Sequence, residues 1–274
     1  MPDTVRPRGL ITTLRHHAAP LLPAFLRRMA GRWVRAIEMR HGATYQVGER
    51  QLRFTPNSIP TVLTSASDER DRIDAAQLSA FMNAIRPGNT VADVGAFRGT
   101  YTVIAAALAG PTGRVVAFEP TTANADVIRT NLALNDLTAH VHIEPAAVSD
   151  RMGTAKFFVW GDASTNALTR QHDASAGISV RTVALDEYFA DGLPDVVKMD
   201  IEGAEILALR GAQRLLASAA VILCELHPYA WPEFGCNAAE LRTLLQMHGR
   251  YAADITTGEP IEDYRYGGVL LKRD

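Results

Sequence analysis

Two glycines and an acid at the end of an apolar stretch are the first residues that could do chemistry. In VADVGAFRGT (residues 91–100), the stretch runs into Asp93, Gly95 and Gly99, and a helical pattern follows at once. A glycine-rich turn lets a ligand approach the backbone closely, and the start of a helix presents free N–H groups. The spacing is neither Gly-x-Gly-x-x-Gly nor a phosphate loop ending in Gly-Lys-Ser/Thr. Because a carboxylate repels phosphate, the segment favours a cationic ligand, such as an ammonium or sulfonium, with an ordinary strand–turn–helix as the alternative.

A second acid stands where the next strand ends. Glu119-Pro120 follows the apolar stretch RVVAF (114–118), 26 positions after Asp93, an interval that suits one strand–helix–strand unit. An acid in this place can accept hydrogen bonds from both hydroxyls of a ribose. A surface acid at a strand end is the alternative, but the two motifs in register favour a ligand that carries a ribose.

Three acids follow a fourth strand, in VKMDIEGAE (197–205). Asp200, Glu202 and Glu205 lie close together at the carboxyl edge of the expected sheet, where ligands bind in such folds. We expect Asp200 to be functional. Glu202 and Glu205 fall at a helix start, where the helix dipole favours anions, and capping is the favoured interpretation of Glu205.

A histidine and a further acid end the fifth strand, in ILCELHP (222–228). Glu225 and His227 are two positions apart, so both side chains could face one side of the crevice. The ordinary pKa of histidine suits general-base catalysis, although a lone histidine is as often structural. We hypothesise that His227 is a catalytic base and that Glu225 or Glu202 orients it or the substrate. A variant of this hypothesis places a divalent cation at Asp200 and Glu225.

Alternating strand and helix patterns position these residues. The strands are expected at 90–94, 114–118, 140–144, 195–199 and 220–226, and the helices at 100–109, 122–134, from about 203 and at 238–248. Two last strands, 250–255 and 266–272, have only a loop between them and are expected to pair antiparallel. The alternation predicts an α/β fold with a mostly parallel sheet and helices on both faces.

The remaining segments are expected to form an extension and an insert. Residues 1–86 form a basic extension that caps the acceptor site or contacts another subunit, and residues 87–274 form the second domain, which contains an insert at 155–184. The expected elements are helices in 9–40, a hairpin at 44–55, a helix at 67–86, strands near 155–160 and 178–184, and a polar loop at 161–177. That loop could be a lid over the acceptor or a surface loop.

Composition limits the class of protein. The chain has 274 residues, 47% hydrophobic and 21% charged, which excludes a disordered or fibrous protein. Its two cysteines are too few for a disulfide framework or a closed thiolate zinc site, and they suit a reducing cytoplasm. No apolar stretch reaches the roughly 18 residues that span a bilayer, and prolines and arginines interrupt any signal peptide. We therefore expect a cytoplasmic protein.

Charge is divided unevenly along the chain. The net charge is −2, but residues 1–40 contain eight arginines against Asp3 and Glu38, a net charge of +6, which leaves −8 for the other 234 residues. A uniformly basic nucleic-acid binder is therefore not expected. The basic segment is expected to be an amphipathic cap over the acceptor site or a contact in a homodimer, and contact with an anionic membrane surface or acceptor is the alternative.

Over roughly residues 88–228, the chain resembles the FkbM family of S-adenosylmethionine-dependent methyltransferases. Seven segments carry the resemblance: VADVGAFRGTYT (91–102), VVAFEP (115–120), NLALNDL (131–137), AAVSD (146–150), VALDEYF (183–189), VKMDIEGAEILALRGA (197–212) and ILCELH (222–227). The Asp-x-Glu-Gly-Ala-Glu stretch is the most specific to the family. One departure is Phe97, where the family usually has Asn, so the first loop could contact the methionine portion differently.

The resemblance implies a class I methyltransferase fold, which is Rossmann-like: a seven-stranded, mostly parallel sheet with an antiparallel last strand. It also implies S-adenosylmethionine as methyl donor. By position, Glu119 would hold the ribose, and Asp200 would lie near the sulfonium and the acceptor. The other cofactor residues are Asp93, Gly95 and Gly99 on the methionine side, Ala147 and Val148 at the adenine, and in addition Ala96, Tyr101 and Pro120.

The family resemblance leaves several functions open. O-methylation of a small molecule, such as a polyketide natural product or its sugar, is the first expectation, and a bacterial surface glycan or lipid-linked sugar is the alternative acceptor. A binding protein that has kept the fold without turnover is a rival class. A nucleic-acid methyltransferase is disfavoured, because only the N-terminal segment is basic and Met-Asp-Ile-Glu replaces the Asx/Ser-Pro-Pro-aromatic signature of amino-methylating DNA enzymes.

Overall fold

The computed structural model describes residues 6–7, 42–56, 58, 69–158, 167–168 and 177–273. The helices expected within 9–40 and most of the loop expected at 161–177 lie outside the described residues. Among the described residues, no helix is both long enough and apolar enough to cross a membrane.

A small antiparallel sheet and a helix come first in the chain. Strands β1 (Arg6–Pro7), β2 (Ala43–Val47) and β3 (Arg50–Phe54) pair in that order, and helix α1 (Glu69–Ala84) follows. β2 and β3 form the expected hairpin, with Val47 opposite Arg50 at its turn. Alternate strand positions are buried, so the hairpin has one apolar face.

The remaining elements alternate as the sequence predicts. In chain order they are β4 (Thr90–Val94), α2 (Thr100–Ala109), β5 (Arg114–Phe118), α3 (Thr122–Ala133), β6 (Val141–Glu144), β7 (Ala147–Val148), β8 (Gly153–Phe158), β9 (Ala167–Leu168), β10 (Ile178–Val183), α4 (Leu185–Tyr188), β11 (Val196–Met199), α5 (Glu205–Arg210), α6 (Gln213–Ala217), β12 (Val221–Leu226), α7 (Ala238–Met247), β13 (Arg250–Asp254) and β14 (Gly267–Arg273). Two short 3-10 helices lie at Thr138–His140 and Trp231–Phe234.

Seven strands form the central sheet, in the order β13-β14-β12-β11-β4-β5-β6. The neighbouring pairs from β12 to β6 are parallel, whereas β14 is antiparallel to both β12 and β13. Every residue of β11 is buried, which is typical of a parallel strand covered on both faces. The seven-stranded, mostly parallel sheet with an antiparallel last strand is therefore confirmed.

Each face of this sheet packs against its own apolar cluster. On one face, Val91 of β4 packs with Val103 and Ile104 of α2 and with Leu52 of the hairpin. On the other face, the next residue along β4, Ala92, packs with α5, α6 and α7, because neighbouring side chains of a strand point to opposite faces. The described hairpin thus shares a core with the sheet, and the boundary expected at residue 86 is not a break in that core.

The insert builds a second, four-stranded sheet in the order β7-β10-β8-β9. β8 and β10 pair antiparallel, as the two expected strands of the insert would. Residues 167–168 were expected in a loop and instead form β9, whose two residues pair with the end of β8. Two residues are too few for an alternating pattern, so the sequence does not indicate this strand.

The single helix expected from about residue 203 is two helices. α5 ends at Arg210, and α6 begins at Gln213. A Cβ at Gly211 would lie 2.6 Å from the carbonyl oxygen of Ser149, so the glycine allows the chain to pass close to the insert at this break.

Candidate active site

A cleft of about 900 Å³, open to solvent, lies where β4, β5 and β11 end. Nine residues expected to bind the cofactor or act in catalysis line it: Gly95, Ala96, Tyr101, Glu119, Pro120, Ala147, Val148, Asp200 and Glu202. Asp93, Gly99, Glu225 and His227 do not line it. The carboxyl edge of a parallel sheet is where ligands bind in open α/β folds.

The turn after β4 requires its two glycines for different reasons. Gly95 has φ +81°, and a Cβ there would lie 1.9 Å from the carbonyl oxygen of Asp200, so the turn passes directly against the end of β11. Gly99 has φ +82°, and its Cβ would lie 2.9 Å from Cγ1 of Ile128 on α3. Gly95 therefore shapes the cleft, whereas Gly99 allows α2 to pack against α3.

Asp93 lies beneath the cleft, not in its wall. Its side chain is fully buried, and Oδ2 accepts a hydrogen bond from Oγ1 of Thr102 at 2.6 Å. Among the described residues, Oδ1 has no hydrogen-bond partner. Burial raises the pKa of Asp93, while the charge of Lys198 opposes that rise. Asp93 thus points from β4 into the layer beneath α2, and its contact with the methionine portion stays a prediction.

Glu119 is held at the cleft by backbone and side-chain donors. Its Oε1 accepts hydrogen bonds from N and Oγ1 of Thr121 at 2.9 and 2.6 Å and from Asn124, and its Oε2 accepts one from N of Phe97 at 3.0 Å. Burial raises the pKa of Glu119 although these hydrogen bonds lower it. A carboxylate has about four lone-pair sites, so Oε2 keeps capacity for a ligand hydroxyl.

The side chain of His227 is held among three carboxylates. Nδ1 lies 2.9 Å from Oε1 of Glu205, and Nε2 lies 3.4 Å from Oε2 of Glu202 and 3.9 Å from Oδ1 of Asp200. Burial lowers the pKa of His227, but the hydrogen bond to Glu205 and the three negative charges outweigh it and raise the pKa to about 9. The imidazole is therefore mostly protonated at neutral pH, which does not favour the hypothesis of a His227 base.

The pKa of Glu225, unlike that of His227, lies close to neutral pH. Burial and the charge of Asp200 raise the pKa of Glu225 to about 7, against a hydrogen bond from Tyr266 and the charges of His227 and Lys198. A carboxyl group with a pKa near 7 is suited to proton transfer at neutral pH.

Glu205 does more than cap a helix. Its Oε1 accepts the N–H of Gly203 at 2.7 Å, as capping predicts, but its fully buried carboxylate also binds His227 and accepts Nε1–H of Trp231 at 2.8 Å. Capping was the favoured interpretation because a sequence does not show which residues meet in the folded protein. Here β12 and the turn after it bring His227 and Trp231 to Glu205.

Lys198 is a site residue that the sequence interpretation missed. This buried side chain lines the cleft from β11, with Nζ 3.3 Å from Oδ2 of Asp200 and 4.7 Å from the centre of the Tyr101 ring. Burial lowers the pKa of Lys198, but the charges of Asp200 and Asp93 outweigh it and raise the pKa. A lysine within the otherwise apolar strand VVKM is the signal that could have found it.

Two aromatic side chains extend the site outwards. Tyr229 is 67% exposed and Tyr266 is 39% exposed. Their ring centres lie 5.8 and 5.4 Å from that of His227. The hydroxyl of Tyr229 donates to Oε2 of Glu202 at 3.3 Å. These rings form an open surface beside the acidic side of the cleft.

The residues of the cleft fit S-adenosylmethionine. Glu119 has an acceptor atom for a ribose hydroxyl, and Ala147, Val148 and Phe157 supply an apolar wall for an adenine. Asp200 and Glu202 bring negative charge to the side where a sulfonium would lie. The sheet order and this cleft together define a class I methyltransferase.

Comparison with known proteins identifies the family. The model of the Methyltransferase FkbM domain matches residues 93–251, which is more than half of the chain. The chain therefore belongs to the FkbM family of S-adenosylmethionine-dependent methyltransferases. No curated protein matches the chain significantly.

Solved structures that resemble the chain have low sequence identity. An S-adenosylmethionine-dependent O-methyltransferase from Thermotoga maritima is 13% identical, with 85% of this chain and 77% of that chain covered and a TM-score of 0.45. A ribosomal protein L11 methylase from Lactobacillus delbrueckii subsp. bulgaricus is 13% identical, with 75% and 80% covered and a TM-score of 0.45. An rRNA methylase from Streptococcus thermophilus is 11% identical, with 72% and 94% covered and a TM-score of 0.41.

Proposed function

We propose that the chain transfers a methyl group from S-adenosylmethionine to a hydroxyl group of a small molecule, such as a polyketide natural product or its sugar. The observation that carries the proposal is the placement of Asp200 and Glu202. Both line the donor cleft, and both also belong to the polar cluster around His227, which opens beside Tyr229 and Tyr266. A donor in the cleft and an acceptor on the aromatic surface would meet at these two acids.

The proposed binding residues correspond to three parts of the donor. When bound, S-adenosylmethionine would supply a methyl group on a cationic sulfur, and the sulfur would leave as a neutral thioether by in-line displacement. Glu119 would accept hydrogen bonds from the ribose, and the apolar wall of Ala147 and Val148 would pack on the adenine. Asp200 would balance the charge of the sulfonium. Because the donor is already reactive, the main task of the protein is to align the acceptor oxygen with the methyl group.

The acceptor hydroxyl loses its proton in the reaction, and we propose Glu225 as the group that receives it. It lies close enough to Asp200 and Lys198 for their charges to affect its pKa, which is about 7. This assignment replaces His227, whose pKa of about 9 leaves it mostly protonated. Glu202 and His227 then orient the acceptor side of the cluster instead of taking its proton.

The alternative acceptor is a surface glycan or a lipid-linked sugar. The exposed rings of Tyr229 and Tyr266 suit the apolar face of a sugar, and the net charge of +6 in residues 1–40 suits an anionic surface or acceptor. In both cases residues 1–86 would help to choose the acceptor, as a cap over the site or as a contact in a homodimer. The acidic remainder of the chain, with −8, disfavours nucleic acid as the acceptor.

A cytoplasmic location is part of the proposal. Cys224 and Cys236 are both buried in the core, where thiols suit a reducing compartment.

Methyl transfer with labelled S-adenosylmethionine tests the proposed function. The full-length protein is incubated with a panel of hydroxylated small molecules, sugars and glycans, and products are identified by a mass increase of one methyl group and by the carbon shift of the methyl carbon. We expect a methyl ether. A methyl group on nitrogen would contradict O-methylation, and donor binding without transfer to any acceptor would favour the rival, a binding protein without turnover.

A further inference from the structure

We propose that Asp200, Glu202 and His227 form a binding site for one divalent cation of the Mn²⁺ to Zn²⁺ class, at the outer edge of the donor cleft. One oxygen from each acid and Nε2 of His227 all lie within 4.8 Å of one another. Two carboxylate oxygens and one imidazole nitrogen are a ligand set that these ions accept. Glu225, expected in the sequence variant of a cation site, is not part of this group.

The distances from Nε2 of His227 to the two acids suit a shared ion better than direct hydrogen bonds. Nε2 of His227 lies 3.4 Å from the Glu202 oxygen and 3.9 Å from the Asp200 oxygen. Both distances exceed the roughly 2.7–3.2 Å of ordinary N–H···O hydrogen bonds. Two ligands about 2.1 Å from one ion are separated by about 3.0 Å at right angles and about 4.2 Å when opposite, so the observed separations fall within that range.

Groups behind the three ligands hold them in this orientation. His227 is 1% exposed, and the hydrogen bond from Nδ1 to Glu205 directs Nε2 at the gap between the two acids. A carboxylate behind a histidine in this way is the usual support of a metal-binding imidazole. Lys198 donates to Oδ2 of Asp200, which leaves Oδ1 facing His227.

The backbone at Glu202 is a second, independent sign of a specialised position. Its φ is +53°, a left-handed conformation that a residue with a long side chain rarely adopts. Such conformations cost about 1–3 kcal/mol and occur where the surrounding structure imposes them, often at binding sites. Here the conformation directs the carboxylate toward His227 and Tyr229.

The effect of the ion on the acceptor rests on the proposed function, whereas its binding does not. Asp200 and Glu202 line the cleft, so an ion between them adjoins the place where an acceptor oxygen would meet the methyl group. Three protein ligands leave coordination positions open to water or to that oxygen. A hydroxyl held in such a position loses its proton more readily.

Binding of Mn²⁺ to the full-length protein tests the site. The protein is treated with a chelator, and Mn²⁺ is added while the signal of the free ion is followed by electron paramagnetic resonance. We expect one bound ion per chain and at least about a tenfold loss of affinity in Glu202→Gln and in His227→Gln. The matched variants Glu187→Gln and His142→Gln, which change exposed residues away from the cleft, should bind Mn²⁺ as the wild type does.

Two further measurements keep the test decisive. Far-ultraviolet circular dichroism shows whether each variant is folded, and electron spin-echo modulation of the wild-type complex should show one nitrogen ligand on Mn²⁺. Absence of Mn²⁺ binding, absence of the nitrogen ligand, or unchanged affinity in both folded variants would overturn the proposal. Binding of the ion must displace the Nε2 proton that the carboxylates favour in its absence, so an imidazolium that keeps this proton between the two acids gives the first of these results.

The outcomes separate this site from the proposed function. Mn²⁺ binding at these residues without methylation of any hydroxyl would support the site and count against the function. Methylation that continues after complete chelation, together with absence of Mn²⁺ binding, would overturn the site and leave the function intact.

Discussion

Glu225 and His227 illustrate how neighbouring groups assign chemical roles at the residue scale. The two side chains share one end of β12, yet their pKa values move to about 7 and about 9. Glu225 is half-buried beside another carboxylate, which favours its neutral form, whereas His227 is surrounded by three carboxylates, which favour its charged form. This difference in pKa is the reason why Glu225, and not His227, is proposed as the group that receives the proton.

Replacement of this acid tests its role. We expect Glu225→Gln to lower kcat by about 100-fold or more, because general-base catalysis contributes about 10²–10⁴-fold. The affinity for S-adenosylmethionine should not change, since Glu225 does not line the donor cleft. Steady-state kinetics and calorimetry measure the two effects, with Glu187→Gln as the control. A variant with the wild-type kcat would show that the proton leaves by another route.

Phe97 departs from the family pattern at a strained backbone position. Its φ is +50°, in the left-handed region where Asn is several-fold enriched and a bulky residue is an outlier. We expect Phe97→Asn to raise the free energy of unfolding by about 1 kcal/mol through relief of this strain. Urea denaturation measures the change. Phe97→Leu keeps the strain and should not stabilise the protein, so equal stabilisation by both variants would contradict the explanation.

Local sequence patterns predicted the positions of several residues that line the cleft, while their roles stay predictions. Glu119 and Asp200 end apolar strands, and both line the cleft, as does Gly95. The environment of His227 could not be predicted, because Asp200, Glu202 and Glu205 reach it from another strand end only after the sheet has formed. Glu205 was interpreted as a helix cap for the same reason, because the sequence does not show its tertiary contacts.

At the scale of elements, the contact between α2 and α3 depends on one glycine. Gly99→Ala would place a Cβ 2.9 Å from Ile128 and would also strain a φ of +82°. Gly235, after the 3-10 helix Trp231–Phe234, has φ +67° and ψ +28°, close to the φ +82° and ψ +24° of Gly99, but a Cβ added there would have no atom within 4 Å, so Gly235→Ala adds backbone strain alone. Comparison of the two variants therefore separates the cost of backbone strain from the cost of steric overlap.

We expect Gly235→Ala to destabilise the protein by about 1 kcal/mol and Gly99→Ala by about 1–3 kcal/mol more. Chemical denaturation of both variants measures the difference. Equal destabilisation would show that α2 and α3 can move apart without cost and that their contact does not fix the turn at the cleft.

Elements with continuous apolar patterns could be predicted to within one or two residues. β4 and β5 occupy the ranges that the sequence gives, because buried parallel strands are apolar throughout. β9 and the break between α5 and α6 could not be predicted. The first is too short to have a pattern, and the second depends on the approach of Gly211 to Ser149 from the insert.

At the scale of the whole molecule, the N-terminal hairpin contributes to the core beneath the donor cleft. Leu52 is buried in the same cluster as Val91 of β4 and Val103 of α2. The alternating strand and helix pattern begins only at residue 90, which led to the expected boundary at residue 86, but such a pattern does not show which apolar faces are shared. The hairpin and the sheet are therefore expected to unfold together.

Truncation of the Leu52 side chain tests whether the hairpin and the sheet unfold together. We expect Leu52→Ala to lower the free energy of unfolding by about 2–5 kcal/mol, the usual cost of a cavity in a core, with one cooperative transition. Met247→Ala, at a 70% exposed side chain, is the control and should change stability by less than about 0.5 kcal/mol. A separate early transition in the Leu52 variant would show that the hairpin is an independent unit.

Binding of S-adenosylmethionine to the wild type and to Glu119→Gln, measured by titration calorimetry, tests the central claim that the cleft holds the methyl donor. The wild type should bind one donor per chain. The variant should bind at least about tenfold more weakly, a loss of about 1.4 kcal/mol, because a neutral amide replaces the carboxylate that accepts hydrogen bonds from the ribose. Glu187→Gln, at an exposed acid, should bind as the wild type does. Absence of binding in the folded wild type, or equal affinity in the Glu119 variant, would contradict the account.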